Sequence, residues 1–153
     1  MQGRINPTAV SPDAYAHLVA LEKYIATCGL EPGLIHLVKL RASQINGCAF
    51  CIDMHWKDAR AGGETEQRLY GLDAWQESPY YTDRERAALA WTEAVTLVRE
   101  THVPDSAYEP VHAHFSEKET ADLSLVVAMI NAWNRLAISL RYPPGHYQPP
   151  KKD

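Results

Sequence analysis

The amino-acid sequence predicts an all-α fold in a single domain of 153 residues. Apolar side chains recur at three- and four-residue intervals along most of the chain, which is the spacing of one helix face. Caps, prolines and glycines separate these segments, and no alternating pattern of useful length indicates a strand. A chain of this length buries enough surface to fold without disulfides or metal, so its cysteines are better explained by function.

The first three predicted helices each begin at a cap or a proline and end at a glycine. The first runs from Ser11 or Asp13 to a stop at Gly29, and the second runs from Pro32 to Asn46-Gly47. The third runs from about Cys48 to Gly62-Gly63. The apolar stripes of the first two are Ala14, Leu18, Leu21 and Ile25, and Leu34, Leu37, Val38, Ala42 and Ile45. The break between the second and third helices allows the chain to fold back on itself.

The second half of the chain contains four further predicted helices. A short helix covers residues 64–75, and a loop at 78–81 follows it. The next helix continues to Val98, and a shorter one contains Pro110, which predicts a kink. The start signals are the capping boxes Thr82/Glu85 and Ser116/Glu119 and the pair Pro104-Asp105.

The last predicted helix, residues 117–141, is apolar on nearly all sides. Such a helix must be buried centrally or in a subunit interface, so we expect a homo-oligomer. The proline-rich tail, residues 143–153, is predicted to be an arm or disordered.

Composition and charge exclude several classes of protein. The formal net charge is −4, and the 15 Lys and Arg residues form no cluster except Lys151-Lys152, so we expect no nucleic-acid partner. No stretch of 18 uncharged residues occurs, and the first 30 residues lack the pattern of a signal peptide. We therefore expect a cytoplasmic protein with no membrane partner, in a compartment that keeps thiols reduced.

Two of the three cysteines and one histidine form a redox pattern. In a helix, Cys48 and Cys51 are separated by three residues and Cys51 and His55 by four, so both sulfurs and the imidazole would share one face. A helix N-terminus and an imidazole both favour the thiolate, which is the reactive form of cysteine. The sequence therefore predicts a dithiol redox centre, from which Cys28 stands apart.

Other interpretations of this motif explain less of the pattern. Cys48, Cys51 and His55 would supply three zinc ligands, but no second ligand pair follows in the sequence. A c-type haem site needs a histidine directly after the second cysteine, where this chain has Ile52. A thioredoxin-like domain would place the motif after a strand, and cysteines that only pack in the core would leave His55 unexplained.

The segment 37–55 carries a resemblance to a known family. It reads LVKLRASQINGCAFCIDMH and resembles the signature of the alkylhydroperoxidase D-like branch of the carboxymuconolactone decarboxylase family. A looser likeness extends through residues 82–98 and 130–136. The resemblance implies an all-α fold, trimers or hexamers, and peroxidase or disulfide-reductase activity. It also implies that Cys51 attacks and becomes a sulfenic acid, that Cys48 resolves it to a disulfide, and that His55 belongs to the proton relay.

One residue departs from the family pattern. Members usually carry a glutamate twelve residues before the first cysteine, and this chain has His36 there. In one interpretation His36 and His55 form a proton relay. In the other, His36 has no role in catalysis and only lies at the edge of an apolar stripe. Without the carboxylate, we expect weak hydroperoxidase activity that the substitution His36→Glu would raise about tenfold.

Together these patterns predict an enzyme. We expect a dithiol oxidoreductase that reduces hydroperoxides or small disulfides through a Cys48–Cys51 disulfide, with His55 and His36 in its site and no metal or cofactor. Its partners would be the substrate and an external thiol reductant, and the resemblance implies a lipoyl protein as one such donor. The alternative is a redox-sensing or metal-binding interaction module without turnover. The predicted domain covers residues 1–153, with a core at about 10–141.

Overall fold

A computed structural model describes residues 2–150 of the chain and confirms the all-α prediction. Within this part of the chain there are helices and turns but no strand. The helices are α1 (Pro7–Val10), α2 (Pro12–Ile25), α3 (Pro32–Asn46), α4 (Ala49–Ala61), α5 (Glu66–Tyr70), α6 (Asp83–Thr96), α7 (Val98–Thr101), α8 (Asp105–His114) and α9 (Glu117–Leu140), with a 3-10 turn at Leu72–Ala74.

Both predicted capping boxes are present. The hydroxyl oxygens of Thr82 and Ser116 accept hydrogen bonds from the backbone N–H of the third helical residue. The Glu85 and Glu119 carboxylates in turn accept from the backbone N–H of the two caps. Each box satisfies N–H groups that no residue within the helix can reach, which fixes where α6 and α9 begin.

Three predicted boundaries are wrong. The helix predicted over 64–75 is split at Gly71, because Thr65 caps α5 and glycine is a poor helix former. The helix predicted to reach Val98 ends at Thr96, and Val98 is 53% exposed rather than part of the core stripe. The first helix ends at Ile25, before the stop predicted at Gly29. The third helix begins at Ala49, in agreement with the predicted start at about Cys48, and Cys48 is its cap. Pro110 lies inside α8, as predicted.

Helix α3 lies at the centre of the fold. It contacts α4, α6 and α9, and its apolar residues contribute to both larger core clusters. One cluster lies between α3, α6, α8 and α9, and the other fills the space between α3, α4, α5 and α6. A third, smaller cluster contains both cysteines of the predicted redox pair, Ala42, Ile130 and Ala137. The motif is therefore part of the packed interior.

Helix α9 is the long core helix that the sequence predicts. By length and composition alone its 24 residues could cross a membrane, but its buried side chains pack against other helices of the chain. Of its large apolar side chains, Ile138 is exposed. The single chain thus covers most of the apolar surface that suggested an oligomer, and the oligomeric state stays a prediction.

The described part of the C-terminal tail, residues 143–150, is an arm that lies along α4. The backbone N–H of Gly145 donates to Asp53, and Lys57 Nζ donates to the carbonyl oxygen of Tyr147. Residues 151–153 of the predicted tail lie outside the described part of the chain. The arm brings Tyr147 to the site described next.

Candidate active site

A tight turn at Gly47 positions the cysteine motif. Gly47 ends α3 in the left-handed conformation, with φ 69°, which glycine adopts without the steric penalty of a side chain. The Cys48 N–H then donates to the carbonyl oxygen of Ser43 at 3.0 Å. Helix α4 folds back along α3, as the Asn46-Gly47 break predicts. Because of this reversal, the rings of His36 and His55 have centroids 6.3 Å apart.

Cys48 caps α4 rather than lying within it. Its backbone is extended, and its Sγ accepts a hydrogen bond of 3.4 Å from the backbone N–H of Cys51. Cys48 therefore lies just before the helix rather than within its first turn, with its sulfur beside Cys51. The sulfur takes the place of an oxygen cap at the helix N-terminus, where the positive end of the helix dipole stabilises a thiolate.

The two thiols are buried and titrate differently. Each cysteine is only 1% exposed, and both are free thiols. The Cys51 thiol donates towards the Cys48 sulfur, and this hydrogen bond lowers the pKa of Cys48 to about 7 despite its burial. The same interaction and burial raise the pKa of Cys51 above its usual range. The two directions are those of a thiolate on Cys48 that accepts a hydrogen bond from the Cys51 thiol.

A network of buried amides and hydroxyls supports the pair. Asn134 on α9 is completely buried, and its Nδ2 donates to Ser43 Oγ at 3.0 Å. Its Oδ1 accepts from Asn46 Nδ2 at 2.8 Å. The Asn134 amide also hydrogen-bonds towards both sulfurs, which lowers the pKa of each. This network joins α9 to the end of α3 and holds the motif in place.

An apolar pocket of about 400 Å³ opens on the Cys51 side of the pair. Phe50, Met54, Trp133 and Tyr142 form much of its wall. Its polar groups are the Cys51 sulfur, both histidines, Asp58, and the ion pair that Lys39 makes with Glu22. The pocket therefore combines an apolar surface with a thiol and titratable groups, which is typical of small-molecule sites.

Cys48 lines a separate depression of about 380 Å³ and is not part of the wall of the first pocket. Residues of α9 and the following turn, among them Ala137, Ile138 and Arg141, form its far wall. The two sulfurs consequently face different spaces, although Phe50 and Tyr142 belong to the walls of both.

The two histidines that line the pocket are uncharged at neutral pH. His55 is 6% exposed, and burial, together with the nearby Lys39 ammonium, lowers its pKa well below the usual value. Burial also lowers the pKa of His36, although the Asp58 carboxylate opposes that effect. The Nδ1 atom of each ring is buried and makes no hydrogen bond. Both are therefore neutral imidazoles at neutral pH, each with an unsatisfied nitrogen.

Asp58 is a site residue that the sequence interpretation missed. It lies one turn after His55 on α4, and its Oδ2 is 3.9 Å from His55 Nδ1. Its Oδ1 accepts a hydrogen bond of 2.6 Å from the Tyr147 hydroxyl. The separation of three residues from His55 was the available signal. Asp58 therefore supplies a carboxylate near the imidazole. The sequence predicts no such group, because His36 replaces the family glutamate.

The structure thus brings together Cys48, Cys51, His55 and His36, the four residues predicted for the site. Cys28 packs against a different core cluster. Among residues 2–150, the close donor set around His55 consists of His36 and Asp58 and does not include the sulfurs. The zinc site considered from Cys48, Cys51 and His55 is therefore not formed as a close donor set within this part of the chain.

Comparison with known proteins identifies relatives along nearly the whole chain. The sequence model of the carboxymuconolactone decarboxylase family matches residues 12–94. The uncharacterised protein YdfG of Bacillus subtilis is 42% identical over 92% of this chain and 95% of its own length. Uncharacterised YnjA of Escherichia coli is 30% identical over 74% of this chain, which spans 62% of that protein.

Solved structures show the same fold. The structure of ATU0492 from Agrobacterium tumefaciens, a protein of unknown function with a suggested role as antioxidant defence protein AhpD, is 46% identical. It superposes with a TM-score of 0.89 over 98% of this chain and all of that chain. An alkylhydroperoxidase AhpD core protein from Ralstonia eutropha shares the fold at 20% identity, with a TM-score of 0.80 over 91% of this chain and 74% of that chain. The chain therefore belongs to the carboxymuconolactone decarboxylase family, in its alkylhydroperoxidase D-like branch.

Proposed function

We propose that this chain is a dithiol oxidoreductase that reduces organic hydroperoxides, or small disulfides, through a Cys48–Cys51 disulfide. Family membership and the AhpD-like relative support an antioxidant, peroxidase-related role in general terms. The observation that carries the finer proposal is the position of Cys51, which lines one apolar pocket with His55 and has the Cys48 sulfur beside it. The buried Nδ1 of His55 makes no hydrogen bond.

In the first step, the Cys51 sulfur attacks the terminal oxygen of a hydroperoxide, ROOH. His55 relays the Cys51 proton to the leaving oxygen in the same step in which the O–O bond breaks, so no free imidazolium forms. Cys51 becomes a sulfenic acid, the sulfur is oxidised by two electrons, and the alcohol ROH leaves. The apolar wall formed by Phe50, Trp133 and Tyr142 favours a substrate with a hydrocarbon group.

In the second step, the Cys48 thiolate attacks the sulfenic sulfur, and the hydroxyl group leaves as water after it takes up a proton. The helix N-terminus and the Asn134 amide beside Cys48 still favour its thiolate after Cys51 has been oxidised and no longer donates a thiol hydrogen bond. The resulting disulfide joins two residues whose sulfurs are neighbours in the reduced structure. In this assignment, Cys51, which lines the pocket, reacts with the substrate, and Cys48, the more acidic thiol, carries out the resolving step.

An external dithiol completes the cycle. It reduces the Cys48–Cys51 bond by thiol–disulfide exchange and is itself oxidised to a disulfide, so two electrons and two protons return to the enzyme. A lipoyl-bearing protein is the donor that the family resemblance suggests. The space on the Cys48 side provides a second approach to the bond for this reaction.

The test is a peroxide-consumption assay on metal-free protein with an organic hydroperoxide and dihydrolipoamide. We expect multiple turnovers per chain that require both Cys48 and Cys51, and a slower reaction with hydrogen peroxide, which gains nothing from the apolar wall. Replacement of the hydroperoxide by oxidised glutathione tests the disulfide reductase arm. If the Cys48–Cys51 pair is oxidised once per chain and neither assay shows turnover, the result would instead favour the alternative function, a redox-sensing module.

A further inference from the structure

The redox chemistry uses one nitrogen of His55, yet the structure places a second histidine and a carboxylate beside it. One ring nitrogen of His36, one of His55 and one carboxylate oxygen of Asp58 all lie within 4.8 Å of one another. Each comes from a helix of the buried α3–α4 pair, so their positions are fixed by packing rather than by a flexible loop.

We propose that His36, His55 and Asp58 bind a divalent transition-metal ion of the Zn²⁺ class, with its remaining coordination position open to the pocket. Two imidazoles and one carboxylate form a donor set that holds zinc in open sites. This inference goes beyond the dithiol function and does not depend on it, because neither sulfur belongs to the ligand set.

The distances fit an ion after a small adjustment. Zinc lies about 2.0–2.2 Å from nitrogen and oxygen ligands, so two ligands of a tetrahedral ion are roughly 3.4 Å apart. The distance of 3.9 Å between His55 Nδ1 and Asp58 Oδ2 is close to that value. A metal ion would also bind a group that is otherwise unsatisfied, since the buried Nδ1 of His55 makes no hydrogen bond.

A supporting residue orients the carboxylate. The Tyr147 hydroxyl donates to Asp58 Oδ1 and leaves Oδ2 directed towards His55. Outer partners of this kind fix the orientation of metal ligands and typically change the affinity about 10- to 100-fold. The C-terminal arm thereby becomes part of the site.

Metal binding and peroxide reduction compete for the same histidine. An ion on His55 occupies the nitrogen that would accept the Cys51 proton, so Zn²⁺ should inhibit peroxide consumption by the native protein. The consequence follows only if both proposals hold, whereas the binding measurement below tests the metal site by itself.

The experiment uses untagged protein, freed of metal with a chelator, equilibrated with Zn²⁺ and analysed for metal content. We expect about one ion per chain in the native protein and in the Cys48→Ser, Cys51→Ser double variant, and a loss of the ion in His36→Ala and Asp58→Asn. Tyr147→Phe should weaken binding about 10- to 100-fold. His17→Ala, at an exposed histidine on α2, is the matched control and should bind like the native protein.

A second readout guards against misfolded variants. Zn²⁺ should raise the melting temperature of the native protein but not that of Asp58→Asn, whose fold is checked by circular dichroism. The Co²⁺ complex should lack the sulfur-to-metal charge-transfer band of thiolate ligation. No zinc above the buffer level, retention of zinc in both His36→Ala and Asp58→Asn, or its loss in the double cysteine variant would each overturn the proposal.

Discussion

The two sides of the dithiol differ in chemistry although Cys48 and Cys51 are three residues apart. On the Cys48 side, the Cys51 thiol, a backbone N–H at the helix N-terminus and the Asn134 amide donate towards the sulfur and stabilise its thiolate. On the Cys51 side, an apolar pocket contains a neutral His55 with an unsatisfied nitrogen. Cys48 is therefore the more acidic thiol, and Cys51 is the thiol that lines the pocket. This division is consistent with two thiols that react one after the other.

Removal of the thiol on the pocket side should have the greatest consequence for activity. Cys51→Ser should reduce peroxide consumption to the rate of buffer alone, because the serine hydroxyl at this position cannot be oxidised by the substrate. The assay follows hydroperoxide loss with a dithiol donor. Cys28→Ser is the matched control and should keep the native rate, since Cys28 packs against another core cluster. An equal loss of peroxide consumption in Cys51→Ser and Cys28→Ser would contradict a specific role for Cys51.

The second prediction separates attack from resolution. Cys48→Ser should still react once with hydroperoxide and should then accumulate a sulfenic acid on Cys51, because the resolving thiolate is missing. A sulfenate-specific probe followed by peptide mass spectrometry locates the adduct. If the adduct instead forms on Cys48 in Cys51→Ser, the more acidic thiol attacks and the assignment of the two sides is reversed.

The acidity of Cys48 provides a third prediction. The alkylation rate of native Cys48 should rise as the pH passes through about 7, since the thiolate fraction rises there. Cys51→Ala removes the thiol that donates to Cys48, so the pKa of Cys48 should rise towards the ordinary cysteine value of about 8.5. The thiolate fraction, and with it the alkylation rate at pH 7, should then fall about tenfold. An unchanged pH profile would show that the helix N-terminus alone sets the acidity.

A smaller effect is expected at Asn134, which contacts both sides. Asn134→Ala should raise the pKa of Cys48 less than Cys51→Ala does, because this amide makes a lesser contribution to the lowering. The variant also removes one hydrogen bond from Ser43 and one from Asn46, each of which keeps another partner, and the two lost hydrogen bonds cost about 1–3 kcal/mol of stability in total. Chemical denaturation and alkylation at several pH values measure the two effects. Asn131→Ala, one turn away on the same helix, is the control, because this amide shares the Asn46 donor and otherwise bonds to Thr96 and to its own helix.

The sequence predicted most of the fold because its boundaries are set by local chemistry. Capping boxes, Pro32 and Gly47 act within a few residues, and the structure has all of them at the expected helix ends. The cap position of Cys48 was missed because the i, i+3 spacing is the same whether the first cysteine starts the helix or precedes it. As the cap, Cys48 uses its sulfur to accept a hydrogen bond from the backbone N–H of Cys51.

The rest of the site depends on contacts between distant segments, which spacing cannot show. Asp58 was within reach of sequence reasoning, three residues after His55, but its importance depends on the fold-back that brings His36 close. Glu22 on α2 and Tyr147 on the arm reach the same pocket region from the two ends of the chain. Neither residue lies in a segment that the motif analysis singled out.

The most direct test of a redox centre is the oxidation state of the pair after one equivalent of an organic hydroperoxide. Mass spectrometry of the peptide that contains Cys48 and Cys51 should show a loss of two hydrogens that a dithiol reverses, while Cys28 remains free to react with an alkylating agent. A disulfide to Cys28, or a peptide that keeps both hydrogens while hydroperoxide is consumed, would contradict a redox centre at this site.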